Sequence, residues 1–249
     1  MSKLFPFVHP SNVLISGPTG SGKTYFVHRL LQNRMLSPWP SRIMVVFSEW
    51  QKIYEEWKIL FPQCEFIENF DEDYYKTIDS RKENLLILDD QMLEAGKSEY
   101  LKVLFTKGSH HRRLTVIFLV QNVYDKGNSM RTANLNAHYL IFFKNNRDKT
   151  QQRILGQQMF PAIPRFPMEV LDDATNQNSH GYIVYDLRAE TDERIRIRTG
   201  IFPGETLLFY RPVQRTAGIK EGRAGKKEQI QPKCRSNNST PILFALLDQ

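Results

Sequence analysis

The chain has 249 residues, 41% of them apolar, enough for one domain of roughly 200 residues to bury a core, so an intrinsically disordered protein is excluded. Lys and Arg number 34 against 27 Asp and Glu, a formal net charge of +7 that points to an anionic partner. The two cysteines, Cys64 and Cys234, lie far apart without a C-x-x-C neighbour, and no apolar run comes near the 18 or so residues of a membrane span, which argues against a disulfide framework, a zinc site, a signal peptide and a transmembrane helix. A soluble protein of a reducing, intracellular compartment is expected.

In chain order, strand-like and helix-like segments alternate. A β-rich run, 12–16, leads into Gly17-Pro18-Thr19-Gly20-Ser21-Gly22-Lys23-Thr24, which fits G-x-x-x-x-G-K-[ST] without a mismatch, and an amphipathic helix begins inside the motif. Glycines there let successive N–H groups curl around a β-phosphate, and the new helix turns its positive end on the same anion. Lys23 would reach the β- and γ-phosphates, and Thr24 would offer its hydroxyl to Mg²⁺. The helix is predicted over 23–35, with Phe26, Val27, Leu30, Leu31 and Met35 on one face, halted by Ser37-Pro38. A strand over 42–48, a helix over 49–59 and a strand over 64–67 follow.

The next strand, 85–89, is four aliphatic residues closing on Asp89-Asp90. Its C-terminal end is where open α/β sheets bind ligands, so Asp89 would hold the metal, directly or through water, and Asp90 would orient or deprotonate an attacking water. Taken alone such a pair reads as a helix N-cap; the phosphate motif upstream reverses that reading. A helix over 98–107 precedes His110-His111-Arg112-Arg113, and a strand over 114–120 ends in Gln121-Asn122. Adjacent histidines on one strand point to opposite faces and no third ligand accompanies them, so a metal site there is not expected. Arg112 and Arg113 are either a solvated charge cluster or the source of an arginine that completes a neighbouring subunit's site. A seven-residue strand spans about 23 Å, too far for either to fold back to its own γ-phosphate. Gln121 is either a polar residue opening a loop or an amide that touches the γ-phosphate and the lytic water.

Strand 138–143, helix 148–159, closed by Pro161, and strand 182–187 continue the alternation. Arg194-Ile195-Arg196-Ile197-Arg198 then reads as an edge strand with one exposed basic face. Strands apolar on both faces and spaced by helices indicate an α/β, three-layer sandwich with a mostly parallel central sheet. Residues 1–210 carry a net charge of +2 and 211–249 a net charge of +5, so the first are expected to form the ATPase domain and the second a basic, flexible tail. Within that tail Pro241-Ile242-Leu243-Phe244-Ala245-Leu246-Leu247 is apolar again, either a docking peptide or a short element laid back on the core.

From about Pro6 to Glu205 the chain resembles the HerA–FtsK group of P-loop ATPases, and within it the genome-packaging ATPases of Polinton (Maverick) elements, adintoviruses and large DNA viruses. The resemblance rests on the phosphate motif, on Leu88-Asp89-Asp90, and on Gly108-Ser109-His110-His111-Arg112 running into Val116-Ile117-Phe118-Leu119-Val120-Gln121-Asn122. It continues through Leu135-Asn136-Ala137-His138-Tyr139, Phe143-Lys144-Asn145-Asn146-Arg147-Asp148 and Arg196-Ile197-Arg198-Thr199-Gly200-Ile201-Phe202-Pro203. It implies a RecA/FtsK-like fold, ATP and Mg²⁺ as cofactors, and a homo-oligomeric ring, hexameric or pentameric, that pumps double-stranded DNA into a capsid through contact with capsid protein. Residence in the host nucleus or at the virion-assembly site would follow. Arg112 would be the finger acting across the subunit interface and Gln121 the γ-phosphate sensor. Many members of the wider group place Glu after the metal-binding Asp; Asp90 is shorter by about 1.5 Å, so the water sits closer or Asp90 is not the base.

Two rivals belong to other classes. A small-molecule or nucleotide kinase shares the phosphate cradle but carries an arginine-rich lid, for which only Lys126 and Arg131 are available here. A scaffold that binds nucleotide and ties DNA to a capsid without efficient hydrolysis is kept open by Asp90. A GTPase is not supported, because Asn145-Asn146-Arg147-Asp148 lacks the lysine of the guanine-reading motif.

Overall fold

The computed structural model describes residues 5–68, 72–89, 99–108, 112–125, 127–176, 178 and 180–212. Its strands are β1 (Phe7–Val8), β2 (Asn12–Ser16), β3 (Leu36–Ser37), β4 (Arg42–Phe47), β5 (Cys64–Ile67), β6 (Asn84–Asp89), β7 (Leu114–Val120), β8 (Tyr139–Phe143), β9 (Tyr182–Asp186), β10 (Ile197–Thr199) and β11 (Leu208–Tyr210). The helices are α1 (Lys23–Gln32), α2 (Ile53–Leu60), α3 (Glu72–Lys76), α4 (Glu99–Val103), which runs on as a π-helical turn over Leu104–Gly108, α5 (Asn128–Leu135), α6 (Thr150–Met159) and α7 (Phe166–Thr175).

Nine strands form one sheet in the order β11-β10-β9-β8-β2-β7-β6-β4-β5. The six from β8 to β5 are parallel, and β9, β10 and β11 extend them antiparallel. Alternation of side chains divides the core into two layers. On one face Val13, Ile15, Val45, Ile87, Ile117 and Ile141 pack against Phe26, Leu30 and Leu31 of α1 and Tyr54 and Trp57 of α2. On the other, Leu14, Met44, Leu86, Val116, Phe118 and Leu140 meet Leu101 and Phe105, Met130 of α5, Leu155 of α6 and Val170 of α7. Both faces of β2 and β7 are buried, which is why these strands read as unbroken apolar runs. The fold is the expected α/β three-layer sandwich with a mostly parallel central sheet. Among the described residues no helix is long and apolar enough to cross a membrane.

Two local expectations are corrected. Helix α1 ends at Gln32, before Ser37-Pro38, because Arg34 takes a left-handed conformation (φ 49°) and the Met35 N–H returns to the Leu30 carbonyl at 2.8 Å. The basic stretch before Thr199 is not an exposed edge: only Ile197–Thr199 is strand, and β11 covers it on the outer side. Arg198 is 2% exposed and bonds Asp186 Oδ2 at 3.1 Å, while Arg196 donates to the backbone carbonyls of Asp186, Arg188 and Thr191. Alternating arginines mimicked an amphipathic strand, but Arg194 pairs with exposed Asp192 ahead of the strand, and the guanidiniums of Arg196 and Arg198 are spent on loop carbonyls and a buried carboxylate.

Asp186 also receives Arg188 at 2.9 Å and the Thr191 hydroxyl at 2.8 Å. Burial opposes its ionisation, but the Arg188 hydrogen bonds, the Arg198 charge and Thr191 outweigh it and hold the carboxyl below the usual carboxylate range. A depressed carboxylate contributes stability that is present above its unfolded value, near 4, and is lost as pH falls through its folded value. Asp186→Ala, which strands Arg198 without a counter-charge, is expected to cost about 3–5 kcal/mol. Denaturant unfolding at pH 7 checks this, and the gap between the variants should narrow below pH 4.

Candidate nucleotide site

Strand β2 lies between β8 and β7, and β6 lies on the far side of β7. The carboxyl ends of β2, β7 and β6 therefore form one edge, where the sequence places the phosphate motif, Gln121 and Asp89. Gly22 stands at the α1 N-terminus with φ 104°, a left-handed conformation that favours glycine. Gly17 is confined by packing instead: a Cβ there would stand 2.6 Å from Ser21 Oγ and 2.8 Å from Phe143 Cβ. Between them the loop closes on itself through Ser21 N–H to the Pro18 carbonyl at 3.2 Å, and Gly17 N–H is tied to the Val120 carbonyl of β7 at 3.2 Å.

Lys23 Nζ donates to the carbonyls of Gly17 at 2.7 Å and Pro18 at 3.2 Å, so the ammonium sits inside the curl of the loop. Ser21 Oγ is buried there without a hydrogen-bond partner among the described residues. An unsatisfied buried hydroxyl beside an ammonium and a helix N-terminus fits a phosphate oxygen. Thr24 Oγ1 donates to Asp89 Oδ2 at 3.1 Å, which brings together the hydroxyl and the carboxylate expected to serve Mg²⁺. Asp89, the last residue of β6 and 3% exposed, stands opposite Phe47 of β4.

Gln121 follows Val120 at the same edge. Its side chain is exposed, and its carbonyl accepts from Ser16 Oγ and from Gln151 Nε2, each at 3.1 Å. Asn122 Oδ1 accepts the Tyr124 N–H at 2.8 Å and shapes the turn. Asp90 lies outside the described residues, as do His110 and His111.

Arg112 lies at the opposite end of β7. Its Nη1 donates to the carbonyls of Ile78 at 2.7 Å and Lys76 at 3.3 Å, and its guanidinium sits 4.8 Å from the Tyr75 ring centroid. Arg113, with φ 43°, pairs with Glu83 at 3.1 Å. The structure thus gathers the phosphate motif, Asp89 and Gln121 at one edge and leaves both arginines at the other.

Four contributors have no sequence signature. Gln51 Nε2 and Tyr54 Oη reach Asp89 Oδ2 at 3.1 and 2.6 Å from the start of α2. Gln151 on α6, 4% exposed, accepts from Ser16 Oγ at 2.8 Å and the Val123 N–H at 3.1 Å while donating to Gln121, so one amide fastens the Gln121 turn to the end of β2. His180 Nδ1 lies 3.2 Å from the Ser21 carbonyl and walls the loop beside Gly22. The helix predicted from residue 49 starts at Ile53 instead, and the freed turn is what brings Gln51 over the end of β6.

No protein-family model matches the chain, and no curated protein matches it. Among solved structures, the chain is similar to the DNA-packaging ATPase B204 from Sulfolobus turreted icosahedral virus, at 14% identity over 82% of this chain and 98% of that one, with a TM-score of 0.49. It is also similar to the genome packaging NTPase B204 from Sulfolobus turreted icosahedral virus 2 in complex with AMP, at 15% identity over 73% and 94%, TM-score 0.47. The flagellar accessory protein FlaH from Methanocaldococcus jannaschii matches at 17% identity over 58% and 76%, TM-score 0.39.

Proposed function

We propose that the chain is an ATP-driven motor that moves double-stranded DNA, working as a homo-oligomeric ring at the site of virion assembly to package a viral or virus-like genome into a capsid. The observation that carries the ATPase reading is the Thr24–Asp89 contact, which closes a full phosphate motif onto a buried carboxylate at the ligand-binding edge of the sheet. The loop N–H groups and Lys23 would bind the β- and γ-phosphates, and Gln121 would lie over the terminal one. Mg²⁺, held from Thr24 and Asp89, would supply positive charge to the phosphate oxygens. Asp90 is the candidate base. The motor reading is supported by the sequence segments from Gly108 to Asn122 and from Phe143 to Asp148, narrower signals than the phosphate motif.

A kinase reading is weakened by the connection between β7 and β8, which contains the eight-residue helix α5 and carries only Lys126 and Arg131 as Lys or Arg residues for a lid. Displacement of a third strand from a DNA triplex tests translocation directly. The motor should strip the strand with ATP and fail with a non-hydrolysable analogue; ATP turnover without displacement would contradict translocation.

Residues 213–249, nearly all of the basic tail, lie outside the described residues. Its net +5 supports a sequence-independent grip on DNA phosphates that releases counterions. Deleting 212–249 is expected to weaken DNA binding and flatten the slope of log affinity against log salt. An unchanged slope would show that the tail does not touch DNA.

A further inference from the structure

Three donors from two places, the start of α1 and the turn that opens α2, converge on one oxygen of Asp89: Thr24 Oγ1 at 3.1 Å, Gln51 Nε2 at 3.1 Å and Tyr54 Oη at 2.6 Å. Only Thr24 belongs to the phosphate motif. Tyr54 is fully buried, its ring within 5.3–5.8 Å of the ring centroids of Phe47, Trp50, Trp57 and Phe66, so the hydroxyl is delivered by a ring with no room to turn. Gln51 is fixed to the same turn, its carbonyl accepting the Tyr54 N–H at 3.0 Å. Because Phe47 stands opposite Asp89, the chain leaving β4 passes the end of β6, which carries the turn to Asp89.

We propose that Tyr54 and Gln51 are positioning residues for the divalent-cation side of the nucleotide site, acting through Asp89. This rests on the nucleotide reading above. A carboxylate oxygen has two lone pairs, so three donors saturate Oδ2, and a cation would meet Asp89 through Oδ1, through water or through Thr24 rather than through this atom. Thr24 spends its one proton on Asp89, which leaves the lone pairs of Oγ1 aimed away from the carboxylate, toward the loop. The direction of those lone pairs is therefore set by where Asp89 is held, and Asp89 is held from α2. Outer partners of this kind govern metal affinity by orienting the groups that touch the ion.

Tyr54→Phe keeps the ring in its cage and deletes one donor; Gln51→Leu deletes the other at a half-buried position that does not support the core. The full-length chain saturated with a non-hydrolysable ATP analogue is titrated with Mn²⁺ and followed by electron paramagnetic resonance, and analogue binding is measured separately in EDTA. Each variant is expected to bind Mn²⁺ about 10-fold more weakly, and the double variant up to about 100-fold, with analogue affinity in EDTA unchanged. Mn²⁺ affinity within about twofold of wild type in both single variants overturns the proposal, since loss of a partner that orients a ligand weakens metal binding by more than this. If Tyr54→Phe does not fold, Gln51→Leu alone decides on the same criterion. A wild-type chain that binds no analogue even in EDTA overturns the nucleotide reading, and this inference with it.

Discussion

Arg112→Ala is expected to bind ATP normally and to hydrolyse it about 10³–10⁵-fold more slowly, the range over which an arginine contributed to a phosphoryl-transfer site acts. The structure places Arg112 and Gln121 at opposite ends of β7, about 23 Å apart along a strand of this length, so Arg112 cannot serve its own subunit's γ-phosphate. Within its own chain the guanidinium is held by two carbonyls at the end of α3 and the facing Tyr75 ring. Half-buried at the end of the sheet away from its own phosphate loop, it is suited to a neighbouring subunit's site in a ring. Mixing Arg112→Ala with Asp90→Asn subunits should restore part of the activity, because some interfaces then join an intact finger to an intact base. Wild-type turnover in both Arg112→Ala and Arg113→Ala, or activity that does not depend on protein concentration through subunit dissociation, would contradict catalysis across an interface.

The second large effect is at Lys23. Its ammonium lies within the loop on the Gly17 and Pro18 carbonyls, in the same curl as the Ser21 hydroxyl, which has no partner among the described residues. Lys23→Ala removes the one side-chain charge aimed at the terminal phosphates and leaves the buried face of α1 intact. Loss of one preorganised charge of this sort is worth about 10²–10³-fold in rate, some 2.7–4 kcal/mol, and ATP affinity should fall with it. Steady-state kinetics and equilibrium nucleotide binding check both.

The strands that position the site were legible because they are short, apolar on both faces and bounded by turn residues. The runs over 12–16 and 114–120 coincide with β2 and β7, and the half-buried run over 64–67 coincides with the edge strand β5. Sequence order could not supply the long-range pairings. Tyr54 meets Asp89 across 35 residues and Gln151 meets the Gln121 carbonyl across 30, contacts that exist only once β4 lies beside β6 and α6 packs under β2. A glutamine or tyrosine in an amphipathic helix has no local mark that distinguishes a buried anchor from a solvated side chain. Arg196 and Arg198 failed for the opposite reason: period-two alternation is the signature of a half-exposed strand, and it cannot register that Asp186 waits beneath. The short pair β1–β3 and the three-residue β11 were missed because two or three residues of strand leave too brief a pattern, and helix α7 was missed behind Pro164 and Pro167, which read as breakers.

Phosphate release by the purified full-length chain with Mg²⁺ and ATP, measured with and without long duplex DNA, bears most directly on the reading as a DNA-moving ATPase. The account predicts turnover that rises with DNA and vanishes in Lys23→Ala. Turnover indifferent to DNA would point to a kinase-like enzyme, and nucleotide binding without any phosphate release would contradict the motor outright.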